Sequence, residues 1–528
     1  MGSKKLQVWL PLLFAIVMVV GMMIGYKIKE QTGSSQGFLK MNRRDDVQEV
    51  LDLVKNKYVD AVNLDTLNDL AINMVLAHLD PHSVYISPAD VADVSEDLMG
   101  NFQGIGVEYE IIDDTINLTK IIPEGPAAKA GLKPDDQIIK VNDTVLLTGK
   151  KLLPETIKKN LRGPAGSQVK ITLQRDHNIQ NIVVTRGTIP VPSADVAYMI
   201  APETGYIRLT KFSERTYEEF MQQLEKLQKQ GMKKMVLDLR NNGGGLLQQA
   251  VKIADEFLDD NKLIVYTQGD HSEKMEYHCR KEGLFEKGKL VVLVNEFSAS
   301  ASEVLSGALQ DWDRATIVGR RTFGKGLVQQ QFPLNNGGAI RLTVARYYTP
   351  LGRNIQKPYS GGKEKYQEEL MNRFHDGEVL KPDTSKPGGP TFKTPSGKAV
   401  YGGGGITPDV FVPIDTTDFS YKYRSPNDRQ RNFINRATLL VYKNHKTAFS
   451  NFKSVEHFSQ DFNITNEEWR QLLQIAKKDS LYLNDADKKA VEWFVKPMIA
   501  FKIWDMKGYL EVLNNRDNAV LKSLELLK

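Results

Sequence analysis

One cysteine, Cys279, is all the chain carries, so no disulfide can form within it and the fold rests on packing even in an oxidising compartment. An excess of either charge is missing as well: 70 basic residues against 65 acidic ones leave a formal +5. With no dense basic tract, that balance argues against nucleic acid as a partner. Histidine is scarce near the chemistry considered below, because none of the eight lies within 20 residues of Ser300. A metal or nucleotide signature is lacking too. Gly319 to Lys325 spells G-x-x-x-x-G-K, but Gly326 stands where a P-loop needs Ser or Thr, and a strand pattern follows where a helix should. An ATP-handling protein would rest on that broken match alone, and no cofactor is expected.

Long apolar runs are rare, with one exception. Val8 to Tyr26 is 19 consecutive positions without a charge or an amide, enough at 1.5 Å per residue to cross the roughly 30 Å of a hydrocarbon core. Lys4 and Lys5 precede it and Lys27 and Lys29 follow, so flanking charge does not orient it. No small-x-small cleavage site follows. The expectation is an uncleaved signal anchor with the catalytic part extracytoplasmic, on the periplasmic side; a cleaved signal peptide is the alternative. Met1-Gly2 does not extend to a myristoylation signal, since residue 6 is Leu.

What is present suits a multi-domain α/β protein. At 528 residues and 41% hydrophobic content the chain supports three or four structural units. The composition divides it into a tail at 1–7, the anchor at 8–26 and a linker at 27–40. A helical unit at 41–95, a strand-rich domain at 96–188, an α/β core at 195–415 and a helical region at 416–528 follow. Within the core, 361–405 is rich in Gly, Pro and charge and reads as a flexible insertion. Trp469, Trp493 and Trp504 are expected in the core of the helical region. Gly33 to Gly37 matches G-x-S-x-G, but no strand leads in and no apolar helix leads out, so the match is taken as chance.

Leu290 to Val294 is an apolar, β-branched strand pattern, and Val304, Leu305, Ala308 and Leu309 have helical spacing. Ser298, Ser300 and Ser302 therefore sit on a strand-to-helix turn, where free N–H groups at the helix start can hold an oxyanion. The plainer reading is a cap, because Ser300-Ala-Ser-Glu303 is an S-x-x-E capping box. A serine needs a base to become a nucleophile, and a buried lysine serves if desolvation lowers its pKa. Lys325, flanked by Gly324 and Gly326, has that form; alone it would pass for a surface lysine in a turn. Gln329, four residues on, can orient the amine. Arg240-Asn-Asn-Gly-Gly-Gly245 is a second glycine-rich turn, suited to donating N–H groups to an oxyanion. His82, in Leu79-Asp-Pro-His-Ser83, reads as a turn histidine with local hydrogen bonds.

Two resemblances follow from these motifs. Gly104-Ile-Gly-Val107, Pro126-Ala-Ala-Lys-Ala-Gly131 and Asp136-Gln-Ile-Ile-Lys-Val-Asn142 resemble a PDZ domain. That resemblance implies capture of a peptide C-terminus at Gly104, Ile105, Gly106 and Val107, the peptide adding as an extra strand. Ser298-Ala-Ser-Ala-Ser-Glu303, Gly324-Lys-Gly326 with Gln329, Asp238-Leu-Arg-Asn-Asn-Gly-Gly244, Leu79-Asp-Pro-His-Ser83 and the inserted PDZ together resemble the C-terminal processing peptidases, over roughly 45–415. This implies a ClpP/crotonase-like core, Ser300 as nucleophile, Lys325 as general base and Gln329 as its orienting partner. It also implies a role for Asp311, and oxyanion donors at Ala301 and at Gly243 or Gly244. Expected partners are proteins or peptides with accessible C-terminal tails, the membrane through 8–26, and a second copy or an adaptor protein. A non-catalytic PDZ scaffold on a protease-like fold is the alternative; the joint presence of Ser300, Lys325 and Gln329 speaks against it.

Overall fold

The structure is a computed structural model that describes residues 14–23, 46–112, 115–142, 144–145, 154–381, 389–415 and 428–528. The chain divides into two compact units, 1–72 and 73–528. In the first, helix Asp46–Lys57 contains no buried residue. Of the expected anchor at 8–26, only 14–23 is described, and it is helical and exposed. Among the described residues no helix is long and apolar enough to cross a membrane. The rest of that segment, the linker at 27–40 and the G-x-S-x-G match lie outside the described residues.

The second unit is built around a six-stranded sheet in the order Val196–Ala201, Thr204–Arg208, Lys234–Asp238, Leu290–Val294, Thr316–Gly319, Val410–Phe411. All pairings after the first are parallel. A parallel sheet must be covered on both faces, and its side chains alternate between them. Ile207, Leu237, Val292 and Ile317 point to one side, where they pack with Leu224, Ile253 and Leu305 of helices Thr216–Lys229, Leu247–Ala254 and Ala301–Asp311. Their neighbours Tyr206, Val236, Val291, Leu293 and Val318 face the other side and pack with Leu510, Val520 and Leu527. The end of the chain is therefore no separate region: helix Asn518–Leu526 and the last turns of Lys488–Asn514 are the second cover of the central sheet. A sheet buried on one side only would leave this row of apolar residues in water, and that is what draws the C-terminus back.

Asp517 fastens this cover. Its carboxylate caps the last helix, accepting from Ala519 N at 2.9 Å and Val520 N at 3.0 Å, and it also takes Arg240 Nη1 at 2.7 Å. Asp517→Ala is expected to lower unfolding stability by roughly 2–3 kcal/mol, the sum of a lost cap and a weakened buried guanidinium; urea denaturation checks this.

A second, antiparallel sheet joins Val84–Ile86, Ala339–Tyr348, Leu263–Gly269 and Ser272–His278, with Leu327–Pro333 paired to Ala339–Tyr348. Val84–Ile86 thus belongs to the core although it falls within the expected helical unit at 41–95. The expected flexible insertion at 361–405 is largely ordered: Gly362–His375 is a helix, and Thr391–Lys393 pairs with Ala399–Tyr401; residues 382–388 lie outside the described residues. Its helix has few apolar positions and is held by ion pairs, which is why hydrophobic periodicity misses it. In the C-terminal region Trp469 is buried as expected, whereas Trp493 is 36% exposed and covered by the Arg516 guanidinium at 3.5 Å.

A further six-stranded sheet has the order Val107–Ile112, Thr115–Ile121, Gln137–Val141, Gln168–Arg175 and Asn178–Thr185, with Thr144–Val145 paired to Gln137–Val141, around Ile116, Leu118, Ile138, Ile157 and Ile171. It joins the core through the antiparallel pair Asn101–Gly104 and Gly187–Pro190. Among the described residues Val107–Ile112 is an edge strand, paired only with Thr115–Ile121. Gly106 before it has φ 76°, and a Cβ there would meet Ile189 Cδ1 at 2.8 Å, so the loop requires glycine.

Candidate active site

Strand Leu290–Val294 delivers the chain to Ser300, the N-cap of helix Ala301–Asp311, at φ 57° and ψ −115°. Positive φ is costly for a serine, on the order of 1–3 kcal/mol, and persists only where surroundings enforce it. The surroundings here are dense. Phe323 N donates to Ser298 O at 2.9 Å, and Tyr347 Oη donates to Ser300 O at 3.1 Å and also to Lys325 O. The two flanking serines are fully buried and committed: Ser298 Oγ donates to Leu239 O at 2.8 Å and Ser302 Oγ to Asn242 O at 2.9 Å. Ser300 alone of the three keeps exposure.

The capping box does form, and its carboxylate does more than cap. Glu303 is fully buried and accepts from Ser300 N at 2.8 Å, Lys325 N at 2.8 Å, Gly324 N at 2.7 Å and Thr322 Oγ1 at 2.5 Å. One side chain therefore holds both the serine turn and the lysine loop. Burial pushes its pKa up, opposed by Thr322 and the three N–H donors. This role was visible in the sequence only as a cap.

Lys325 Nζ donates to Gln329 Oε1 at 2.9 Å, and Gln329 Nε2 donates in turn to His82 O. A register shift between Val328 and Gln329 in strand Leu327–Pro333 aims the amide. Burial, and after it Arg341, hold the Lys325 amine below the ordinary lysine range, against the pull of Glu303 and Asp80. The sequence reading groups Ser300, Lys325 and Gln329, and the structure joins Lys325 to Gln329 and ties the main chains of Ser300 and Lys325 together through Glu303. That reading underrated His82, whose carbonyl anchors Gln329 and whose imidazole is lowered to about 4 by burial first and Lys325 second.

The glycine-rich turn closes against the serine. Gly244 has φ 97°, and a Cβ on it would lie 2.6 Å from Ala299 O and 2.8 Å from Ser300 Cβ. Its N–H is already given to Asn242 Oδ1 at 2.9 Å, so Gly244 supplies close approach and not a free donor. No described residue accepts from the N–H of Gly243 or of Ala301. Asp238 and Arg240 brace the turn from behind through a contact at 2.7 Å, and Asp238 also takes the Tyr206 hydroxyl at 2.7 Å.

Asp311 lies at the far end of the Ser300 helix, about 16 Å along the axis. There it forms a fully buried ion pair with Arg353 and accepts from Leu351 N at 3.0 Å. Its position gives it a structural role, holding the segment that follows strand Ala339–Tyr348. Among the described residues no group of three or more His, Cys, Asp or Glu side chains is arranged to hold a metal ion.

The chain matches the model of peptidase family S41 over residues 203–365 and that of the PDZ domain over 103–185. It is 36% identical over 318 residues to the carboxy-terminal-processing protease of Bartonella bacilliformis, covering 58% of this chain and 71% of that protein. It is also 36% identical over 304 residues to a probable CtpA-like serine protease of Staphylococcus haemolyticus, covering 57% of this chain and 60% of that one. Among solved structures, the photosystem II D1 C-terminal processing protease aligns over 70% of this chain and 88% of its own, at 28% identity and a TM-score of 0.38.

Proposed function

This chain belongs to peptidase family S41, the carboxy-terminal-processing serine proteases with a PDZ domain, and from that premise we propose a Ser-Lys mechanism for it. Ser300 Oγ is the nucleophile. Lys325 in its deprotonated form, which desolvation favours, takes the hydroxyl proton as Oγ attacks the scissile carbonyl. The tetrahedral oxyanion is held by the N–H groups of Ala301 and Gly243, with Gly244 providing the room. The Lys325 ammonium returns its proton to the leaving amine, and the neutral amine then activates the water that hydrolyses the acyl-enzyme. Gln329 fixes the direction of Nζ. The observation that carries this reading is the shared Glu303 carboxylate, which ties the Ser300 turn to the loop whose amine meets Gln329.

Upstream, the Gly104-Ile105-Gly106-Val107 loop takes the substrate's terminal carboxylate, and the edge of Val107–Ile112 away from Thr115–Ile121 receives its last residues as an added strand. Residues 8–26 anchor the chain in a membrane with the catalytic part on the periplasmic side, and a second copy or an adaptor protein is a further partner; the first proposal rests on the uncharged run in the sequence.

The test uses the full chain in detergent with an unfolded protein ending in an apolar tail, its C-terminus free or amidated. Cleavage should be faster for the free terminus, and a fluorophosphonate should label Ser300 alone by peptide mass mapping. Label on another residue would overturn the nucleophile, and equal rates for both termini would overturn the PDZ role.

A further inference from the structure

Helix Gly362–His375 begins at the end of the S41 match, which stops at residue 365. Its Tyr366, 3% exposed, places its hydroxyl 2.8 Å from His82 Nε2 and 3.3 Å from Gln356 Nε2. Each contact leads to Lys325. The His82 carbonyl accepts from Gln329, whose own carbonyl receives Lys325 Nζ. Gln356 Oε1 accepts from Gly326 N at 2.8 Å, fixing the residue after the lysine. One phenol thus stands behind both the amide that orients the amine and the backbone that carries it.

The rest of the helix holds this arrangement in place. Arg373 donates to the carbonyls of Arg321, Thr322 and Phe323, the approach to the lysine loop. Lys357 lies between the rings of Phe323 and Tyr366, 4.1 and 4.3 Å from their centroids, and pairs with Glu369. The His82 ring meets Tyr366 edge-on at 5.2 Å. Gln356 Nε2 donates to the phenol oxygen, and the direction of the bond between the phenol and His82 Nε2 follows the imidazole tautomer. Asp80 Oδ1, accepting from His82 N at 2.8 Å, fixes the main chain at the far side.

We propose that Tyr366 is a positioning residue of the peptidase, acting through His82 and Gln329 to hold the Lys325 amine in its reactive direction. The helix that carries it is therefore a working part of the active site and no appendage. This rests on the reading of Lys325 as the base.

Tyr366→Phe in the full chain keeps the ring against Lys357 and His82 and removes only the hydroxyl. The expected result is a kcat lowered roughly ten- to hundred-fold with KM unchanged, as small misplacements of a catalytic group produce. The acid limb of the pH–rate profile should move to higher pH, because a loosened amine gains water and recovers basicity. His82→Phe, which retains the main-chain carbonyl, should give the same signature, and the double variant should be no worse than either single one. Should Tyr366→Phe fail to fold, His82→Phe carries the same test. A kcat and pH profile within twofold of the parent would overturn the proposal. If Lys325→Ala is inactive while Tyr366→Phe is normal, only this inference fails; if Lys325→Ala keeps full activity, the underlying reading of the base fails instead.

Discussion

Lys325→Met is expected to abolish turnover and at the same time make the protein harder to unfold at neutral pH. The catalytic loss follows from the chemistry: without a base the Ser300 proton has no acceptor, and losses on the order of 10⁴ or more in kcat accompany removal of one member of such a set. The stability gain follows from linkage. The folded-state pKa of Lys325 is lowered, by burial first and Arg341 second, from an ordinary value of 10.5. Between the folded pKa and 10.5 the unfolded chain binds a proton that the folded chain does not. Stability is therefore fully present above 10.5 and declines as pH falls through that window, so at neutral pH the buried amine is a cost. Methionine, of similar length and uncharged, removes it. Thermal unfolding at pH 7 and at pH 10 should show the parent gaining stability with pH and the variant lacking that gain. In the parent, kcat/KM should rise with pH as the amine deprotonates, with its midpoint below the ordinary lysine range. A variant that melts lower than the parent at pH 7 would contradict the burial argument, and one that still turns over would contradict the base.

Glu303→Ala should damage both stability and activity. The carboxylate is fully buried and serves three backbone N–H groups and one hydroxyl. Its removal leaves these donors without an acceptor in a dry site, at about 1–3 kcal/mol each before relaxation. A net loss of about 4 kcal/mol or more is the expected outcome in urea unfolding. Glu303→Gln separates the two effects. The amide keeps volume and one acceptor but turns an NH₂ toward backbone N–H donors, so the variant should fold while the Ser300 turn and the Lys325 loop lose their common anchor. A kcat reduced at least a hundredfold, in a protein that still folds and loses less stability than Glu303→Ala because two of the four donors keep their acceptor, is the expected signature. Near-normal kcat for Glu303→Gln would show that the two loops keep their geometry without this carboxylate.

The residues that were legible in the sequence are those whose signal is local. Ser300 stands between an apolar strand and a helical pattern, Lys325 between two glycines, and Gln329 at a fixed spacing from it. The strand and helix patterns from Tyr206 onward reproduce the observed α/β alternation for the same reason. What misled the reading lacked such locality or carried it falsely. Glu303 spells a cap and forms one, but its bonds to Thr322, Gly324 and Lys325 are made across some 20 residues. The role of Asp311 is implied by resemblance alone, and its pairing with Arg353 at the opposite end of the helix from Ser300 has no local signal in the sequence. Helix Gly362–His375 is stabilised by Glu369, Arg373 and Lys357, which hydrophobic periodicity does not register.

By itself, then, the sequence determined most strands and helices of the central α/β core, because short-range patterning encodes them, and its motifs carried the family resemblance and the three side chains from which a Ser-Lys mechanism is argued. Only the tertiary structure decided what holds those side chains in place: Glu303 between two loops, Tyr366 behind His82, and Asp517 on Arg240. It also decided that the last helix covers the central sheet. These are contacts between residues tens to hundreds of positions apart, and they form because buried donors need acceptors and apolar faces need cover, demands that no local pattern in the chain records.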